Sequence, residues 1–137
     1  SFPTRRSSDL VLLDFRAATT AERRAMARYA DGRVSAVLGS YGRALSADAE
    51  VSAAGTASMT DTGRTGSLMS VGGMDAATRI HEYRSGVPVW AKDSSEAPEL
   101  QGCVIELGAD GRAVSIETLR VPCEEEFVEG TRHSDQG

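Results

Sequence analysis

The sequence predicts a mostly β fold, a small antiparallel β-barrel with a short N-terminal helix, and three observations carry that reading. The chain has 137 residues with 40% hydrophobic and 26% charged content, the size and composition of one soluble globular domain. Its 14 glycines favour turns and short strands over long helices. Apolar and polar residues alternate over 51–59, 103–107 and 113–121, with turn signals between them. A domain this small buries a modest core and has a thin stability margin.

Residues 1–10, SFPTRRSSDL, read like a translated sequencing adapter and are set aside as an artefact, which leaves the natural N-terminus undefined. Residues 11–22 form an N-terminal segment in which VLLDFR is a short apolar run. Thr19 and Glu22 spell a capping box, so a helix is expected over about 20–30. A longer helix competes with that reading, because Met26, Ala30, Val34, Val37, Leu38, Tyr41 and Leu45 also fall on one helical face. Gly32, Gly39 and Gly42 decide against it, since three interior glycines cost about 3 kcal/mol relative to alanine. Placed at turns they cost little, and Gly39–Gly42 becomes a hairpin between strands 33–38 and 43–51. The alternative fold is α+β, with a long N-terminal helix packed on an antiparallel sheet.

Residues 60–67 read as a loop, 68–71 as a weak strand, and 78–84 as a weak strand or a short helix capped by Asp75. Residues 87–92, VPVWAK, read as an edge strand with Trp90 in the core. Residues 93–99 form a polar loop, and GADG turns a hairpin between 103–107 and 113–121, although a C-terminal helix over part of 113–121 is an alternative. Residues 123–137 are expected to be an acidic and polar disordered tail.

Charge and cysteine usage narrow the function. Net charge is −5, and removing Arg5, Arg6 and Asp9 leaves 13 basic and 19 acidic residues, a net of −6. Such a chain lacks the basic stripe that polymeric nucleic acid requires, yet a local arginine cluster still suits a phosphorylated small molecule. No apolar run is long enough to span a membrane. The hairpin register puts Cys103 opposite residue 116 and Cys123 well beyond, so no disulfide is expected and a reducing cytoplasm is the default. No zinc pattern surrounds either cysteine. His81 and Glu82 are adjacent, face opposite sides of a strand and form no catalytic dyad. No metal, cofactor or catalytic residue is expected.

Arg24 and Arg28 form R-x-x-x-R, with Arg23 beside them. Glu50-Val51-Ser52-Ala53-Ala54-Gly55 follows at a distance, and then Gly86-Val87-Pro88-Val89-Trp90 and Gln101-Gly102-Cys103-Val104. In this order the chain resembles the PilZ domain over residues 23–122. PilZ domains pair R-x-x-x-R with D/N-x-S-x-x-G, and Glu50 departs from that pattern. The resemblance implies a split barrel that binds cyclic di-GMP in bacterial signalling, without catalysis. It assigns Arg23, Arg24 and Arg28 to phosphates and guanines, and Glu50, Ser52 and Gly55 to the barrel rim. Cyclic di-GMP would close the arginine arm and change the surface offered to an unknown protein partner. Two other readings are a PilZ-like or other small domain acting only in protein–protein interaction, and a small enzyme of the NTF2-like type.

Overall fold

The structure is a computed structural model that describes residues 10–123; the adapter-like segment 1–9 and the tail 124–137 lie outside the described residues. The chain opens with strand β1 (Leu12–Arg16), helix α1 (Thr20–Ala30) and strand β2 (Ala36–Ser40). β1 and β2 are parallel neighbours, with Leu12 opposite Ala36 and Arg16 opposite Ser40. Parallel neighbours need a long crossover, and α1 is that crossover. The helix starts where the capping box placed it: Thr19 Oγ1 accepts from the Glu22 N–H, and the Glu22 carboxylate accepts from the Thr19 N–H. Gly32, with φ of +73°, turns the chain after it.

Short strands β3 (Glu50–Val51) and β4 (Ala57–Met59) complete a four-stranded sheet in the order β1-β2-β4-β3. β4 runs parallel to β2, while β3 runs antiparallel to β4. Next come β5 (Gly66–Ser67), β6 (Ser70–Val71), β7 (Met74–Asp75) and helix α2 (Ala76–Ser85). The chain ends in β8 (Pro98–Leu107) and β9 (Ala113–Pro122), a long antiparallel hairpin turned at Gly108–Gly111. β5 pairs with β8, and β6 with β7.

β2 is apolar on both faces because it is covered on both. Val37 packs with Ala30 and Val34 beneath α1, against Leu13 and Met26. Ala36 points the other way, to Ala57 and Ala113, with Ile105, Leu107 and Ile116 of the hairpin around them. Period-two alternation thus makes three layers: helix, sheet, hairpin. Burying Val37 contributes about 1.5–3 kcal/mol. The three alanines of the second cluster are small, so the hairpin lies close on the sheet.

Several expectations are corrected. The described residues form a mixed α/β structure with several sheets and no closed barrel among them. The long-helix alternative also fails, because α1 stops at Ala30 and its sheet contains parallel pairs. Gly39 is no turn: it sits inside β2, where a Cβ would come within 2.0 Å of the Thr60 carbonyl oxygen. Its absent side chain serves close approach of the strand ends, not a hairpin. Strand 51–59 is broken by a turn in which the Gly55 N–H donates to the Ser52 carbonyl, and 113–121 is strand, not helix. Residues 87–92 form no strand and Trp90 is 97% exposed. α2 ends in left-handed Gly86, and Pro88 lacks the donor a ladder needs. Cys103 faces Thr118, two residues beyond the expected position; both cysteines are free. Asp75 does cap α2, its carboxylate accepting from the Thr78 N–H. Among the described residues no helix is long and apolar enough to cross a membrane.

Candidate functional site

Open α/β sheets place ligands beyond the carboxyl ends of parallel strands. Here β1 and β2 end level at Arg16 and Ser40, β4 ends at Met59 opposite Leu38, and the residues just past them form the candidate site. Asp61, two residues beyond β4, organises this edge. Its Oδ2 accepts from Arg23 Nη1 at 2.6 Å and from the Gly42 N–H at 2.6 Å, while Oδ1 accepts from the Gly63 N–H at 2.9 Å. Arg23 is only 7% exposed and also donates to the carbonyls of Thr60 and Thr19. A buried ion pair of this kind, with its donors and acceptors used, fixes the geometry around it.

What it fixes is the segment Tyr41–Arg43. Tyr41 holds φ of 125° and Arg43 φ of 58°, on either side of the anchored Gly42. A bulky residue in that region is strained, and such strain persists where surroundings over-determine it, often at functional sites. The Tyr41 ring is half exposed, with the Arg16 guanidinium 5.3 Å from its centroid. Asp14 accepts from the Ser40 hydroxyl at 3.2 Å beneath them. One guanidinium group, a phenol and a hydroxyl therefore line this sheet edge. That set can bind a phosphate and stack on a base. It contains no paired acid and base. His81 lies on α2, and His133 is outside the described residues. Among the described residues no group of three or more His, Cys, Asp or Glu side chains gathers where a metal could be held. Burial pushes the Cys103 thiol up, away from thiolate chemistry.

The residues singled out from sequence have other partners. Arg24 and Arg28 do meet Glu50, at 3.3 and 3.0 Å to the same Oε1, and Arg24 also lies 3.8 Å from Asp48. Glu50 thus neutralises the arm expected to wrap a ligand. The Ser52 hydroxyl donates to Asp31 at 2.5 Å and accepts from the Thr56 N–H. Gly55 turns the chain with φ of +81° against the Arg112 side chain. Arg23 points away from these, into the sheet edge. Sequence reasoning missed Arg16, Arg43 and Asp61. The one available signal was the polar, glycine-spaced stretch Asp61-Thr-Gly-Arg64 directly after an apolar strand.

Comparison with known proteins places this geometry. The chain matches the family described as YmdB-like protein over residues 2–119. It is 34% identical over 120 residues to a Bacillus subtilis protein named 2',3'-cyclic-nucleotide 2'-phosphodiesterase, covering 87% of this chain and 46% of that one. Among solved structures it is similar to a hypothetical protein from Thermus thermophilus, with TM-score 0.78 and 30% identity over 82% of this chain and 44% of the other. It is also similar to a phosphatase of Mycoplasma pneumoniae, with TM-score 0.75 and 28% identity, covering 80% and 40%. The chain spans about half the length of the relatives it matches. These findings overturn the PilZ resemblance, and with it cyclic di-GMP as the ligand. They equally overturn a module without catalysis and an interaction-only domain, since the relatives carry the names of hydrolases, and the family match and fold likeness overturn the NTF2-like type.

Proposed function

The chain belongs to the YmdB-like family, and from that premise we propose that the intact protein hydrolyses phosphoester bonds, with 2',3'-cyclic nucleotides as the substrate class. The observation that carries the reading for this chain is the strained Tyr41–Arg43 segment, pinned by Asp61 at the carboxyl ends of the parallel strands with Arg16 beside it.

In this reading Arg16 meets the phosphoryl oxygens. Phosphoryl transfer asks the protein mainly for positioning and for charge stabilisation on those oxygens, and guanidinium groups fixed in advance supply both. The half-exposed Tyr41 ring offers a face to the nucleobase. Asp61 and Arg23 act through the Gly42 N–H and keep that segment in place, so they are positioning residues. A reducing cytoplasm is the compartment proposed, and the two free thiols support it.

The test is hydrolysis of 2',3'-cyclic AMP by the intact protein, with product followed by chromatography. Arg16→Ala is expected to lower kcat/KM by about 10²–10³, the effect of removing one fixed donor to a developing oxyanion. The reading fails if the wild-type protein cleaves neither 2',3'-cyclic AMP nor an aryl phosphodiester, or if Arg16→Ala cleaves as fast as wild type.

A further inference from the structure

A second concave site lies beside the strand ends, and we propose that it binds a phosphate dianion through Arg43 and Arg64. The cavity measures about 230 Å³ and lies among Arg43, Arg64, Ser67, Ser70, Gln101 and Arg120. That volume admits a phosphate group with a modest substituent, and is smaller than the roughly 300–1,000 Å³ of drug-sized ligand pockets.

The charge balance of this cavity runs against that of the chain. The whole chain carries −5, but three arginines meet here. Among the described residues only Arg120 of these three has a carboxylate partner: its Nε and Nη2 donate to the two oxygens of Glu99 at 2.7 and 3.2 Å. Among the described residues Arg43 and Arg64 form no ion pair. Each is instead held by neutral acceptors. Arg43 Nη1 donates to the Gly72 carbonyl at 2.8 Å. Arg64 Nη2 donates to the Ser67 carbonyl at 2.6 Å and the Ser70 hydroxyl at 2.9 Å. A guanidinium has five N–H donors, so both keep unused donors while their positions are set. Two cations left uncompensated in one concavity are favoured by a doubly charged oxyanion.

The chain also makes room for this arrangement. A Cβ on Gly66 would lie 2.3 Å from Arg64 Nη1, and Gly66 holds φ of +144°. Gly66 thus leaves room for the Arg64 guanidinium in its present position, which a side chain there would displace. The Arg64 N–H donates to Gln101 Oε1 at 3.0 Å, tying the loop to β8. Arg64 is thus preorganised, and its ordering entropy is settled before any ligand arrives.

This site does not depend on hydrolysis. Isothermal titration of the intact protein with inorganic phosphate, and separately with AMP, tests it. Both probes are expected to bind, AMP through its phosphate, with affinity falling as salt rises. Arg43→Gln and Arg64→Gln should each weaken phosphate binding about tenfold, the loss of one charge-assisted contact. Glu99→Gln, which releases Arg120, should tighten it. Binding of AMP without inorganic phosphate would replace the dianion site with a site for the nucleoside. Absence of heat with both at millimolar concentration, or binding unaltered by Arg43→Gln, overturns the proposal. Arg43 is exposed with a single carbonyl contact, so that variant keeps the test valid if Arg64→Gln fails to fold. Phosphate binding that disappears in Arg64→Gln while 2',3'-cyclic AMP is still cleaved, or the reverse, separates this proposal from the hydrolase reading.

Discussion

Arg23 and Arg24 are neighbours on one helix, yet they belong to different parts of the molecule. Arg23 turns inward to the carboxyl end of the sheet, where a nearly buried Asp61 receives it at 2.6 Å. Arg24 turns toward β3 and, with Arg28 one turn on, shares the half-exposed Glu50. One step along a helix is about 100°, enough to send adjacent side chains to different faces. The R-x-x-x-R spacing groups Arg24 and Arg28 because residues four apart share a face. It does not count the arginine that shapes the site. Exposed pairs are worth little, whereas a buried pair is strongly coupled to everything that touches it.

The largest effect is therefore expected at Asp61. Asp61→Ala leaves the Arg23 charge buried without a partner and removes the acceptor for the Gly42 and Gly63 N–H groups. Breaking a buried pair in this way costs about 3–5 kcal/mol. Denaturant unfolding should show that loss. A variant within about 1 kcal/mol of wild type would mean that the inner pair contributes no more than the outer ones, and the contrast between the two faces would collapse.

Asp48 joins the two regions and gives an intermediate effect. It lies near Arg24 on one side and accepts from the Thr60 N–H and the Ser46 hydroxyl on the other. Burial pushes its carboxyl up, but the hydrogen bonds from Ser46 and Thr60 outweigh burial and hold it below the usual 3.8. Glu99 is likewise held below 4.5, chiefly by the hydrogen bond from Arg120. A carboxyl whose folded pKa is depressed contributes stability above its unfolded value and loses it as pH falls through the folded one. The melting temperature should thus fall on acidification below about pH 5, with Asp48→Asn flattening that fall. An acid limb of the same slope in Asp48→Asn would remove Asp48 as the link.

Much of the local structure was legible in the sequence, and much of the topology was not. The capping box at Thr19, the Asp75 cap and the GADG hairpin are settled by neighbours in sequence, and local hydrogen bonding decides them. Parallel pairing of β1 with β2 is settled across 24 positions, and nothing in either strand alone distinguishes it from an antiparallel partner. Gly39 shows the same limit: a glycine needed for a turn and one needed for close approach to Thr60 read alike. The candidate site was missed for a related reason. Arg16, Tyr41, Arg43 and Asp61 come from the ends of three strands and meet only once the sheet order is known. The pairing of Glu50 with Arg24 and Arg28 lay inside the quoted motif, but a carboxylate that accepts from arginine and one that accepts from guanine look identical in sequence.

The smallest effect should come from Glu50, and it decides whether the outer face is as slight as its exposure implies. Glu50→Gln removes the charge that Arg24 and Arg28 share and keeps an oxygen that can still accept. All three side chains are at least 39% exposed, so water already screens the attraction. The cost should be about 1 kcal/mol or less. Part of even that is offset, because one carboxylate between two like charges also holds the arginines near each other. The difference between wild type and Glu50→Gln should shrink further in about 1 M salt, where the Debye length is near 3 Å. Unfolding midpoints of the two proteins at low and high salt make the measurement. A loss of more than about 2 kcal/mol that persisted in high salt would mean that the Arg24/Arg28/Glu50 cluster holds α1 against β3 as firmly as Asp61 holds Arg23.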